Sequence, residues 1–105
     1  NDAAQTPTQA TPSGPSQEEI TNMEDAADKL NIREATVSQS VDRLRQQQAA
    51  AGYSLRGDMA ASQQRAQAYL AKGNAALQAR DLANAQKYFD MADAEIAKLE
   101  KFLGL

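Results

Sequence analysis

Few side chains in this sequence are equipped for chemistry. Histidine and cysteine are both absent, so the commonest general base, the thiolate nucleophile, disulfides and the soft-metal ligands are missing together. Ser38, Ser40, Ser54 and Ser62 carry hydroxyls, but a hydroxyl with no base beside it is a poor nucleophile. Asp90 and Asp93 are neighbours on a helical surface. Such a pair can share acid–base work or hold a hard cation, although acids at this spacing more often form a solvated face. Neither a glycine-rich phosphate loop nor a calcium loop occurs. The sequence therefore predicts no catalytic residues, no metal site and no cofactor, and a protein that is not an enzyme.

The elements that would position side chains are clearer. Leu82, Ala85, Phe89, Ala92, Ile96, Leu99 and Leu103 recur at alternating spacings of three and four, which is one helical stripe. Asp81 stands where it can cap the first turn, Gly104 where it can take the left-handed conformation that ends a helix, and Lys98 and Lys101 where the macrodipole favours cations. This predicts a helix over 81–103, whose stripe needs partner helices to cover it.

Upstream, Ser16 and Glu19 form a capping box at the start of a second pattern. Ile20, Ala27 and Val41 occupy one heptad position, interrupted by Glu34 and Gln48, while Met23, Leu30, Val37 and Leu44 occupy the other. One helix over 17–50 is expected, about 50 Å long, long enough to overhang its neighbours or pair with another copy. Gly52 and Gly57 break the pattern. From Asp58 a third helix is predicted over 58–79, with Met59, Ser62, Ala66, Tyr69 or Leu70, Gly73 and Leu77 on one face. Small residues at 66 and 73 permit close helix approach. The expected core is Ile20, Met23, Leu30, Val37, Val41, Leu44, Met59, Leu70, Leu77, Leu82, Phe89, Ile96, Leu99 and Leu103.

Two resemblances follow. Tyr69, Gly73, Asn74, Ala75, Asp81, Leu82, Ala85, Phe89 and Ala92 fall in the order of a tetratricopeptide repeat, so residues 66–97 resemble a single such helical hairpin. That resemblance implies two antiparallel helices crossing at Gly73, with Phe89 as the aromatic knob and a surface that binds a peptide. Residues 26–44 resemble a bacterial helix-turn-helix, with Leu30-Asn31-Ile32 as the turn and Ala35-Thr36-Val37-Ser38 opening a recognition helix. The second resemblance implies that Thr36, Ser38, Gln39 and Arg43 face DNA. Ile32 separates the readings: it is buried in a helix-turn-helix turn and off the seam of a continuous helix. Arg56-Gly57-Asp58 matches the tripeptide of integrin ligands, but is read here as a glycine that permits the turn and an aspartate that caps the next helix.

At 105 residues the chain has room for one domain. Residues 1–16, with three prolines and almost nothing large and apolar, read as a disordered tether, and 17–105 as a single helical domain. The net charge of −3 argues against a surface built for phosphate backbones. Its distribution is uneven: net −5 over 1–31, +4 over 32–80 and −2 over 81–105. That order suits helices folding on one another or on copies of themselves.

The fold expected is all-α, an elongated three-helix bundle made of an antiparallel hairpin and a long heptad-patterned helix. The function expected is a non-catalytic protein-interaction or assembly module whose partner is another protein or itself. It would be held outside the cytoplasm after signal removal, with Tyr53, Tyr88 and Phe102 as contact points and with no membrane span. The alternative is a small helix-turn-helix regulator binding DNA. With many alanine-to-alanine contacts the core is thin, so marginal stability or homo-oligomerisation is expected.

Overall fold

The computed structural model describes residues 14–105, which form three helices: α1, Gln17–Ala50; α2, Gly57–Gln78; and α3, Leu82–Leu103. No strand occurs among the described residues, and the all-α three-helix architecture is as expected. Most of the expected tether lies outside the described residues.

Local chemistry sets the helix ends. At the start of α1 the Ser16 hydroxyl accepts from the Glu19 amide at 3.1 Å while Glu19 accepts from the Ser16 amide at 2.8 Å. Asp81 caps α3 by accepting from the Asn84 amide at 3.2 Å. The start of α2 differs from expectation. Arg56 is its N-cap with no side-chain bond, and Asp58 lies inside the first turn, accepting from its neighbour Met59. Asp58 still answers the exposed amides and the dipole there, from one position further in.

All three helices end alike. Gly52, Arg80 and Gly104 take positive φ (85°, 61° and 75°), and the next amide reaches back to the carbonyl of Gln48, Ala76 and Glu100 respectively. Arg80 holds the place where glycine is usual. Its guanidinium bonds the Leu77 carbonyl at 3.1 Å, which helps satisfy the helix end that the strained residue closes.

α1 runs antiparallel to α2 and alongside α3. Asn31 meets Asn74, Arg45 meets Gln63, and Glu24 approaches Arg80 at 3.9 Å, so numbers rise on α1 as they fall on α2. Thirty-four residues against twenty-two make α1 the longest helix. Its extra length lies at the N-terminal end, where Glu24 already stands level with Arg80 at the hairpin's tip.

The core joins Ala27, Leu30, Val37 and Val41 of α1 to Ala66, Leu70 and Leu77 of α2 and to Ala85, Phe89, Ala92, Ile96 and Leu99 of α3. Met23, Met59, Leu82 and Leu103, expected inside, are only partly buried against its edges, and Leu44 is half-buried. Ile20 is buried but stands outside this cluster. α2 and α3 pack most extensively on one another and α1 less so on either, because the hairpin seam is built of small residues. Gly73 sits directly on the Phe89 ring, and a Cβ placed there would lie 2.5 Å from Phe89 Cε1. Phe89 is 2% exposed and has nowhere to retreat.

Gly73→Ala is therefore expected to destabilise the fold by about 1–2 kcal/mol from overpacking, even though alanine is about 1 kcal/mol better in a helix interior. Gly57→Ala, with nothing within 4 Å of the added carbon, is expected to cost nothing. Urea unfolding of both variants checks this, and an unchanged midpoint for Gly73→Ala would refute the tight crossing.

Candidate functional site

The hairpin presents two grooves, one on each side. α1 fills the first. Its hydrogen-bonding partners are Gln63, Gln67 and Asn74 of α2 and Asp93 and Glu100 of α3. At 100° per residue, Arg65, Tyr69 and Lys72 point from α2 away from that side, and Tyr88, Met91, Glu95, Lys98 and Phe102 do so from α3. These residues line the second groove, which no element of the described chain covers.

Tyr69, Tyr88, Met91 and Phe102 are each half-buried there, their rings and thioether resting on the helices with one side open. Cations surround them. Lys72 and Lys87 place their ammonium groups 5.6 and 5.4 Å from the centre of the Tyr88 ring, and the Arg56 guanidinium stands 5.5 Å over Phe102.

Between these aromatics lies a polar cluster that sequence reasoning missed. Glu95 is 8% exposed and accepts from the buried Ser62 hydroxyl at 2.5 Å and from Arg65 at 3.2 Å, with Lys98 3.5 Å away. Burial pushes the Glu95 carboxyl up. The hydrogen bonds from Arg65 and Ser62, with the charges of Arg65 and Lys98, outweigh that and hold it below its ordinary value. The hydrogen bond to Glu95, with the carboxylate's charge, raises Arg65. Glu95 at the core-facing edge of an otherwise apolar stripe is the one signal that could have found it.

The remaining candidates do not converge. Asp90 accepts from Gln86 at 2.7 Å, whereas Asp93 is held by Arg33, which also forks onto Glu100 at 2.9 and 3.1 Å. Hydrogen bonds to Glu100 and then Asp93 raise the Arg33 guanidinium well above its ordinary value. No group of acids that could hold a metal occurs among the described residues. Ser62 faces a carboxylate but is 1% exposed, out of reach of any substrate. An open groove of about 380 Å³ between the first turns of α1 and α3 is lined by Glu19, Asn22, Met23, Ala26, Leu82, Ala83 and Gln86, and its one carboxylate, Glu19, has no second acid or base beside it there.

Of the expected contact points, Tyr88 and Phe102 share the open groove, about 21 Å apart along α3. Both are half-buried rather than exposed, because their rings lie under the neighbouring cations. Tyr53 is 72% exposed on the connection at the Phe102 end. The expected DNA-facing residues lie on one uninterrupted helix: the turn at Leu30–Ile32 does not form, and Ile32 is 67% exposed. Thr36 bonds back to the Ile32 carbonyl, Ser38 to Glu34 and Arg43 to Ser40, while Gln39 is exposed. The continuous heptad seam overrides the local turn signal. In Arg56-Gly57-Asp58 the first and last side chains bridge one another at 2.6 Å in the first turn of α2, which holds the Asp58 carboxyl below its ordinary value.

No helix among the described residues is long and apolar enough to cross a membrane. The chain matches no protein-family model, no curated protein and no solved structure.

Because the folded Glu95 carboxyl titrates below its ordinary 4.5, the unfolded chain takes up that proton first as pH falls. The stability Glu95 contributes is therefore complete above pH 4.5 and is lost as pH drops through the folded value. Glu95→Gln should lower stability at pH 7 by about 1 kcal/mol, and the gap to the native chain should be smaller at about pH 3. Urea unfolding at both pH values reads this, and a gap independent of pH would contradict it.

Proposed function

We propose that this chain is a non-catalytic helical interaction or assembly module that binds through the open groove of its α2–α3 hairpin. The observation that carries this reading is the row of half-buried Tyr69, Tyr88, Met91 and Phe102, ringed by Arg56, Arg65, Lys72, Lys87 and Lys98. Large amphipathic side chains that are partly desolvated and already positioned are what interface centres use, since little rotamer entropy is left to lose on binding. Arg33 and Arg80 pair with carboxylates across helices instead of pointing into a cavity, which favours binding over turnover.

The resemblance of residues 66–97 to a single tetratricopeptide hairpin supports the same reading, since stacked arrays of such hairpins form the concave surfaces that repeat proteins use for binding. The proline- and threonine-rich composition of residues 1–16 supports display on a spacer, outside the cytoplasm.

The test is a photo-crosslinking residue placed at Met91 in the groove, with a control at exposed Gln64 on the flank of α2, in cells of the native host. A discrete protein adduct that forms from position 91 and not from 64 is expected. Absence of any adduct, or identical smears from both positions, would overturn the proposal.

A further inference from the structure

The charged residues that reach no opposite charge within the chain are unevenly placed. Arg33, Arg45, Arg56, Arg65, Arg80 and Lys98 each reach a carboxylate within the chain. Lys72 and Lys87 reach none among the described residues, and both are exposed on the rim of the open groove. On the first half of α1, Glu18, Asp25 and Asp28 are likewise exposed and reach no cation among the described residues; Lys29 beside them is the one cation of that half that reaches no carboxylate there, and Arg43 lies further along the helix.

Helical spacing puts these three carboxylates on the outward stripe of α1, opposite its buried Ile20, Ala27 and Leu30. The same stripe carries Ile32, 67% exposed and the most exposed large apolar side chain of that helix. One side of the molecule is thus a cationic groove floored by Tyr88 and Met91. The other side is a ridge whose N-terminal half is anionic on balance, Lys29 being its one cation, with an isoleucine on its crest.

From this we infer that the open groove receives the α1 ridge of a second copy of this chain, Ile32 entering against Tyr88 and Met91 while Asp25 and Asp28 face Lys72 and Lys87. The proposal rests on the groove being an interaction surface and names its occupant. Fully neutralised, the groove loses its surplus positive charge and the ridge its surplus negative charge, so the match is in sign as well as in shape. Groove and ridge lie on opposite sides of one molecule, so the contact is heterologous. Each added copy exposes a fresh groove and a fresh ridge, and the product is an open chain of subunits instead of a closed dimer.

The test is sedimentation velocity of the purified chain from about 10 µM to about 1 mM, in low salt and in 0.5 M salt, roughly where the Debye length has shrunk to a few ångströms. The weight-average mass should climb past two copies without a plateau in low salt, and fall back in high salt. Lys72→Glu with Lys87→Glu should weaken association at least tenfold, as should Asp25→Lys with Asp28→Lys. Neither doubly reversed protein should associate alone, and an equimolar mixture of the two should associate again, because reversed groove then meets reversed ridge. All four positions are exposed, and circular dichroism checks that each variant keeps its helices.

A native chain that stays monomeric in low salt overturns the inference, as does a mass that stops at two copies. Association that both reversed variants keep, or that mixing fails to restore, also overturns it. Adducts from position 91 to a different protein, with the purified chain monomeric, would remove the second copy and leave the interaction module standing. No adduct at all would remove both.

Discussion

The contact between Gly73 and the Phe89 ring is the constraint on which the rest of the structure hangs. With no side chain at 73, α2 lies directly on the ring, and Ala66, Ala85 and Ala92 keep the two backbones close along the seam. Close approach raises the packing density around a few large residues, chiefly Phe89, Ile96, Leu70 and Leu99, so a core rich in alanine still excludes water. It also decides what happens on the outside. A narrow hairpin leaves no gap into which Tyr69, Tyr88, Met91 and Phe102 can sink, so these side chains lie on its open surface half-covered. The interior contact and the surface groove are two consequences of one missing Cβ.

α1 is attached by different physics. Its seam carries Glu34 and Gln48 where a heptad pattern calls for apolar residues, and Asn31 exchanges hydrogen bonds with Asn74 at 3.3 and 3.4 Å. Arg33 adds a two-pronged bond to Glu100 and a further bond to Asp93. Partly exposed polar contacts contribute modest free energy, about 1 kcal/mol or less each. They do select a register, because a slip of one heptad would leave Asn74 and the Arg33 fork unmatched. The selection has a cost: Gln48 buries its Oε1 without a partner. Packed less extensively on the hairpin than its two helices are on each other, α1 is the element whose opening breaks the fewest tertiary contacts.

Much of this was legible in the sequence because it is local. Capping at Ser16 and Asp81, the left-handed Gly104 and the stripe from Leu82 to Leu103 depend on residues within a turn or two of each other. The helix boundaries consequently fall within one residue of those expected. Ile32 was informative for the same reason, since the heptad seam alone places it outward. The features that escaped notice join distant residues: Ser62 to Glu95, Arg33 to Glu100, Asn31 to Asn74. Each depends on which turn of one helix faces which turn of another, and periodicity gives a face without giving a height. The open groove was half visible. Tyr88, Met91, Glu95, Lys98 and Phe102 form a second stripe on α3, but a stripe mixed with charge looks like a solvated face until the position of α1 shows which side is left uncovered.

The charge order along the chain becomes meaningful only after folding. Net charges of −5, +4 and −2 over successive segments would leave only a surplus of −3 if the helices simply neutralised one another, and part of them does so through Arg33, Arg65 and Arg80. Of what is left, Lys29 and Arg43 lie on α1 itself, while Lys72 and Lys87 on one side are separated from Glu18, Asp25 and Asp28 on the other by the short dimension of the bundle, about 18 Å. That exceeds the Debye length of about 8 Å at physiological ionic strength, so the lysines on one side and the carboxylates on the other barely feel each other through solvent around the same molecule. Neither set lowers its energy by intramolecular attraction. Each remains a source of field at its own surface, and the nearest geometry in which the two can meet is between molecules.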